Sequence, residues 1–158
     1  MSGRLIIVTG LTGCGKTTYA KSLGIPHIDF DDLFEYGLLR FNYSRFAQLA
    51  SCPDEAVVMG GFIFFTDPDL EKIKKATTRS IEIVVLYTTP EHLSDCQKRS
   101  KPVFYTKEDN RKMFLADICP HIERLKDKVA KISYIFRLED KYEEHEHEHF
   151  LNTVGASD

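Results

Sequence analysis

The chain has 158 residues, 42% of them hydrophobic and 28% charged, an ordinary globular composition at a length that folds as one domain and leaves no room for a second catalytic one. Formal net charge is −3, but residues 139–158 hold seven acids and one lysine, so the chain up to Leu138 carries 20 basic against 17 acidic residues, a small excess that gives little support to a groove tracking a nucleic-acid backbone. The four cysteines stand singly and the longest apolar stretch, Ala56 to Phe65, is about ten residues, which argues against a disulfide framework, a zinc module or a membrane span and sets the expectation of a cytoplasmic protein.

Along the chain, Leu5-Ile6-Ile7-Val8 reads as a short buried strand stopped by Gly10. A helix is expected from Gly15 to a left-handed Gly24, with Pro26 preventing continuation. His27-Ile28-Asp29-Phe30 fits a second strand that delivers Asp29, Asp31 and Asp32 at its carboxyl end, and helical material is expected to follow to about Ala50. Ala56 to Met59 is a third strand, Asp67-Pro68 opens a helix, and Ile81 to Tyr87 is a fourth strand whose unbroken apolar run suits cover on both faces. Thr89-Pro90 begins a helix to about Arg99. After a basic loop, Thr106-x-x-Asp109 caps a long helix that Pro120 should kink or split. Lys131 to Arg137 is the fifth strand. Strands alternating with helices imply a three-layer α/β/α sandwich around a five-stranded parallel sheet, with ligands beyond the strands' carboxyl ends. The unit is expected to span 1–138. The acidic, histidine-rich segment 139–158 reads as a partly helical or disordered tail, in which His145 and His149 would share a face if helical.

Gly10-Leu11-Thr12-Gly13-Cys14-Gly15-Lys16-Thr17 matches the phosphate-loop pattern G-x-x-x-x-G-K-[ST] between a predicted strand and a predicted helix. Glycines let the backbone curl so that successive N–H groups face one concavity, and the helix start adds positive potential where a polyphosphate sits. The loop and Thr18 are therefore candidates to hold ATP. Lys16 would reach the β- and γ-phosphates and Thr17 would place its hydroxyl on Mg²⁺. Positive potential in the loop is also expected to lower the Cys14 thiol pKa.

The loop, Ile28-Asp29-Phe30-Asp31, Val57-Val58-Met59-Gly60-Gly61, Val84-Val85-Leu86-Tyr87 and the lid-like stretch Gln97-Lys98-Arg99-Ser100-Lys101-Pro102 together resemble the small P-loop kinases of the nucleoside monophosphate kinase and shikimate/gluconate kinase superfamily. The resemblance implies the P-loop NTPase kinase fold and ATP- and Mg²⁺-dependent transfer of the γ-phosphoryl to a small hydroxyl or phosphate acceptor. It implies Asp29 at the metal and Asp31 at the acceptor hydroxyl, where a carboxylate can orient the hydroxyl and take its proton. The lid, residues 98–112, would bring Lys98, Arg99, Lys101 and Arg111 over the transferring group, with Arg99 as the cation meeting its charge. Segment 32–54 would form the acceptor site, with Arg40 and Arg45 gripping an anionic acceptor.

Gly60-Gly61-Phe62 lacks the acid usual in nucleoside monophosphate kinases, and Asp117-Ile118-Cys119-Pro120 lacks the arginine that shikimate kinases carry before their helix proline, which argues against shikimate itself. Asp31-Asp32-Leu33-Phe34 is also similar to the acidic pair of uridine and nicotinamide riboside kinases and of polynucleotide 5′-hydroxyl kinases. Three readings stay open: a small-molecule kinase, a polynucleotide 5′-hydroxyl kinase, and a nucleotide-binding regulatory module without transfer. The alternative role for Asp31 or Asp32 is to cap the next helix, a common job for aspartate.

Overall fold

The computed structural model describes residues 4–11, 13–24, 79–100, 105–139 and 141–155, together with 27–29, 34–35, 40–41, 56–59, 70–71 and 74–75. Strands β1 (Arg4–Thr9), β2 (His27–Asp29), β5 (Ala56–Met59), β6 (Ser80–Tyr87), β7 (Lys131–Leu138) and β8 (Lys141–His145) form one sheet in the order β2-β5-β1-β6-β7-β8. The first five run parallel and β8 returns antiparallel to β7. Among the described residues the sheet is thus mixed and six-stranded, where an all-parallel five-stranded one is expected from sequence. The extra strand comes from the acidic segment after Leu138. Its hairpin turn places Glu139 at φ 56, a left-handed conformation that matches the twist of a tight two-residue connection.

Leu5, Ile6, Ile7 and Val8 are buried in succession, as are Ile83 to Tyr87, which requires cover on both faces of the sheet. The register tells which element covers which face. Tyr87, Tyr134 and Phe136 share one face, since Val85 pairs with Tyr134 and Tyr87 with Phe136. Helix α5 (His147–Gly155) lies there, its Phe150 ring 5.0 Å from Tyr87 and 5.1 Å from Tyr134. Arg137 and Tyr142 are register partners on the opposite face. Helix α1 (Lys16–Ser22) lies on that side, with the Tyr19 ring 5.0 Å from Tyr142.

Local chemistry sets the helix ends. Leu23 and Gly24 donate to Ala20 O and Lys21 O at 3.3 and 3.2 Å, and Gly24 takes φ 68, closing α1 with the expected left-handed glycine. Helix α2 (Pro90–Ser100) starts with proline, and Thr89 Oγ1 accepts from the His92 N–H at 3.2 Å. Helix α3 (Lys107–Met113) opens on the Thr106–Asp109 capping box. Pro120 then splits the helical run: Phe114–Ile118 form a π-turn, in which the Cys119 N–H bonds Phe114 O, and α4 (Cys119–Leu125) resumes with the proline in its first turn. The widened turn accommodates a residue that has no N–H to return to the carbonyl four positions back.

One expectation fails locally. Where helix is expected after Asp32, β3 (Phe34–Glu35) and β4 (Arg40–Phe41) pair antiparallel, with Phe34 opposite Phe41. Aromatic residues on either side of Gly37 favour this pairing over a helix. Residues 70–71 and 74–75 are helical, whereas Asp67-Pro68 lies outside the described residues.

Candidate functional site

The phosphate-loop motif sits between β1 and α1 at the carboxyl end of the central strand. A Cβ at position 10 would stand 2.6 Å from Leu86 O, so only glycine lets the chain leave β1 this close to β6. Gly13 and Gly15 hold φ of 89 and 87, the left-handed region that a curled loop needs and other residues resist. The Cys14 N–H donates back to Leu11 O at 3.1 Å, closing the bend. Lys16 Nζ donates to Gly10 O and Leu11 O, both at 3.1 Å. Helix α1 has no side-chain cap and no acid in its first turn, and Thr17 and Thr18 are exposed there. Tight glycines, a lysine lying along the loop and hydroxyls on the first turn fit an anionic polyphosphate with its magnesium ion. Thr12 lies outside the described residues.

Cys14 corrects an expectation. The thiol is 1% exposed, and burial pushes its pKa up, outweighing the opposing pull of Lys16. It is a packing residue under the loop.

Asp29 ends β2, and the register places it in one row with Met59 and Val8, so its backbone stands two strands, about 10 Å, from the start of the loop. Asp31, Arg45 and Lys101 lie outside the described residues, and Arg40 is placed by its backbone alone, in β4. Helix α2 turns one face to the loop and the other to solvent. Leu93 and Gln97 face inward, with Gln97 Cγ only 2.9 Å from where a Gly13 Cβ would be. Lys98 and Arg99 are exposed. Arg99 Nη2 lies 3.5 Å from Cys96 Sγ, and Lys98 lines a cavity of about 400 Å³ with Glu91, Asp95 and Lys107. Arg111 is tied to Glu108 at 2.7 Å.

Two features around the loop have no signature in the motif. Gln97 and Asn110, 1% and 0% exposed, exchange two amide hydrogen bonds of 3.0 Å, fastening α3 to α2 directly behind Gly13. Arg137, from the end of β7, donates its Nη1 to Cys14 O at 3.1 Å. An arginine at a strand end and two amides at helical positions carry no distinctive spacing; the fold makes them neighbours.

The histidine-rich segment is ordered structure. His145 and His149 stack at 3.9 Å with rings 13° apart, although one ends β8 and the other lies in α5. His149 Nδ1 is 2.6 Å from the Tyr87 hydroxyl, and burial raises that phenol's pKa. Among the described residues no three potential ligands gather as a metal site, and no helix is long and apolar enough to cross a membrane.

No family model matches the chain, and no curated protein does. Solved structures are similar to it at low identity. One is a gluconokinase from Sinorhizobium meliloti 1021, 14% identical over 84% of this chain and 81% of that one, with a TM-score of 0.52. Another is the structure described as that of the PezAT chromosomal toxin–antitoxin system of Streptococcus pneumoniae, 15% identical over 90% of this chain and 71% of that one, at 0.56. A shikimate kinase from Acinetobacter baumannii in complex with shikimate is 18% identical over 84% and 83%, at 0.48. With a glycine-bounded loop following β1 in a mostly parallel sheet, the chain shares the α/β fold of the gluconokinase and of the PezAT structure.

Proposed function

We propose that the protein is an ATP- and Mg²⁺-dependent phosphotransferase that moves the γ-phosphoryl group to a small hydroxyl or phosphate acceptor such as a nucleoside, nucleotide or related metabolite. The observation that carries this reading is the loop: Gly13 and Gly15 in left-handed conformation around a buried Cys14, with Lys16 Nζ on two loop carbonyls. In this reading the loop amides and Lys16 bind and orient the polyphosphate, and Lys16 leaves the carbonyls of Gly10 and Leu11 to meet phosphate oxygens. Thr17, with Asp29, would hold the magnesium ion, which when bound offsets charge on the phosphates. Asp31 orients the acceptor hydroxyl and accepts its proton. Arg99, with Lys98, Lys101 and Arg111, faces charge on the transferring group, and Arg40 and Arg45 grip an anionic acceptor.

The test is transfer of label from γ-labelled ATP with Mg²⁺ to a panel of nucleosides, nucleotides, sugar acids and 5′-hydroxyl oligonucleotides. Labelled product with a small acceptor supports the reading. Transfer confined to oligonucleotides, with affinity falling steeply with salt, would replace it with an end-kinase. ATP binding without product on any acceptor would make the protein a nucleotide-responsive module.

A further inference from the structure

Arg137 joins two parts of the chain that are far apart in sequence. Its Nη1 donates to Cys14 O at 3.1 Å, inside the phosphate loop, and its Nε donates to Glu139 O at 3.0 Å, in the turn between β7 and β8. The turn residue it grips is the left-handed one, with φ 56. The guanidinium also closes on the loop, with Nη1, Cζ and Nε at 3.1, 3.5 and 3.9 Å from the position a Gly15 Cβ would take.

A trans peptide unit is planar, and its C=O and N–H point in opposite directions. The chain has no cis peptide among the described residues. Holding Cys14 O toward β7 therefore turns the Gly15 N–H away from β7. The preceding N–H, that of Cys14, is already spent on Leu11 O. The adjacent cation also polarises the peptide unit it binds, strengthening the N–H on the far side as a donor.

We infer that Arg137 is a positioning residue for the phosphate loop: by anchoring the Cys14 carbonyl to the β7–β8 turn, it fixes the Gly15 N–H as a donor to the bound polyphosphate. This rests on the proposed reading that the loop holds nucleotide phosphates. A fork is needed because two carbonyls are held by one side chain, which an ammonium group on a flexible stem does less well.

The experiment compares wild type, Arg137→Met and Arg137→Lys by calorimetric titration with ATP and with AMP in Mg²⁺, alongside melting without nucleotide. Arg137→Met keeps the apolar stem and loses the donors. It should bind ATP about tenfold more weakly or worse, the usual weight of a hydrogen bond to a charged partner. AMP, which has no β- or γ-phosphate, should bind as it does to wild type, and Arg137→Lys should recover part of the ATP affinity. The Gly15 amide proton should shift downfield with ATP in wild type and less so in Arg137→Met. Equal ATP affinity in wild type and Arg137→Met overturns the inference and leaves the proposed function standing. Equal loss for ATP and AMP also overturns it, since the effect would then be general. Should Arg137→Met fail to fold, wild-type ATP affinity in Arg137→Lys overturns it. A wild type that binds no ATP takes down the functional reading and this inference with it.

Discussion

The two faces of the sheet are built from different materials. On one, a seven-residue α1 and the loop before it are held by backbone bends, a lysine and the guanidinium of Arg137. On the other, Tyr87, Phe114, Tyr134 and Phe150 interlock edge to face and tilted, with all four rings buried. Aromatic burial contributes most of what a side chain can add to stability, whereas a polar loop contributes little. The lesson is a division of labour: the aromatic face carries much of the packing, and on the proposed reading the loop face carries the chemistry.

Substitutions on the two faces should therefore separate. Lys16→Ala is expected to lower phosphoryl transfer by about a thousandfold, as loss of a charge-stabilising donor does, with a melting temperature lowered by no more than the few degrees its two loop hydrogen bonds account for. A matching fall in melting temperature would break the division. Phe150→Ala should do the reverse. Emptying a fully buried phenylalanine site costs about 3–5 kcal/mol, read as a melting temperature lowered by roughly 10 °C or more, while ATP affinity below the transition stays near that of wild type. Asp31→Asn should keep ATP affinity and lose about a hundredfold in transfer to a hydroxyl acceptor, the weight of a positioned base; loss of both would make it a structural acid. Gln97→Leu should move both readouts. It removes the partner of the buried Asn110 Oδ1 at a cost of about 1–3 kcal/mol and leaves Nδ2 its 3.4 Å bond to Pro90 O, and the same side chain packs at Gly13, so a melting scan and an ATP titration should shift together.

The same contrast explains what sequence made legible. The loop is readable because its conformation depends on local residues: Gly10, Gly13, Gly15 and Lys16 must stand at fixed spacing for the backbone to curl. Strands β1 and β6 are readable because branched apolar runs covered on both faces leave a continuous pattern. The carboxyl-terminal strand is hidden, and the helix after it is legible only as one of two expectations for the segment. Glu143, Glu144, Glu146 and Glu148 are exposed and dominate the composition, whereas the order comes from Phe150 and Val154 at 0% exposure and from Tyr142 against Tyr19. Packing against distant partners leaves no local signal. Arg137 escapes notice for the same reason, since its partner Cys14 lies 123 residues away. The pair Phe34 and Phe41 misleads in the other direction, because an apolar stretch around Gly37 fits a broken helix as well as a hairpin until the strands are paired.

The central claim is that the bend from Gly10 to Thr17 grips a nucleotide by its phosphates. Calorimetric titration of ATP with Mg²⁺ into wild type and Lys16→Ala tests it most directly. The account predicts one nucleotide bound per chain in wild type and at least about tenfold weaker binding in the variant. Absence of binding in wild type, or the same affinity in both proteins, would contradict it.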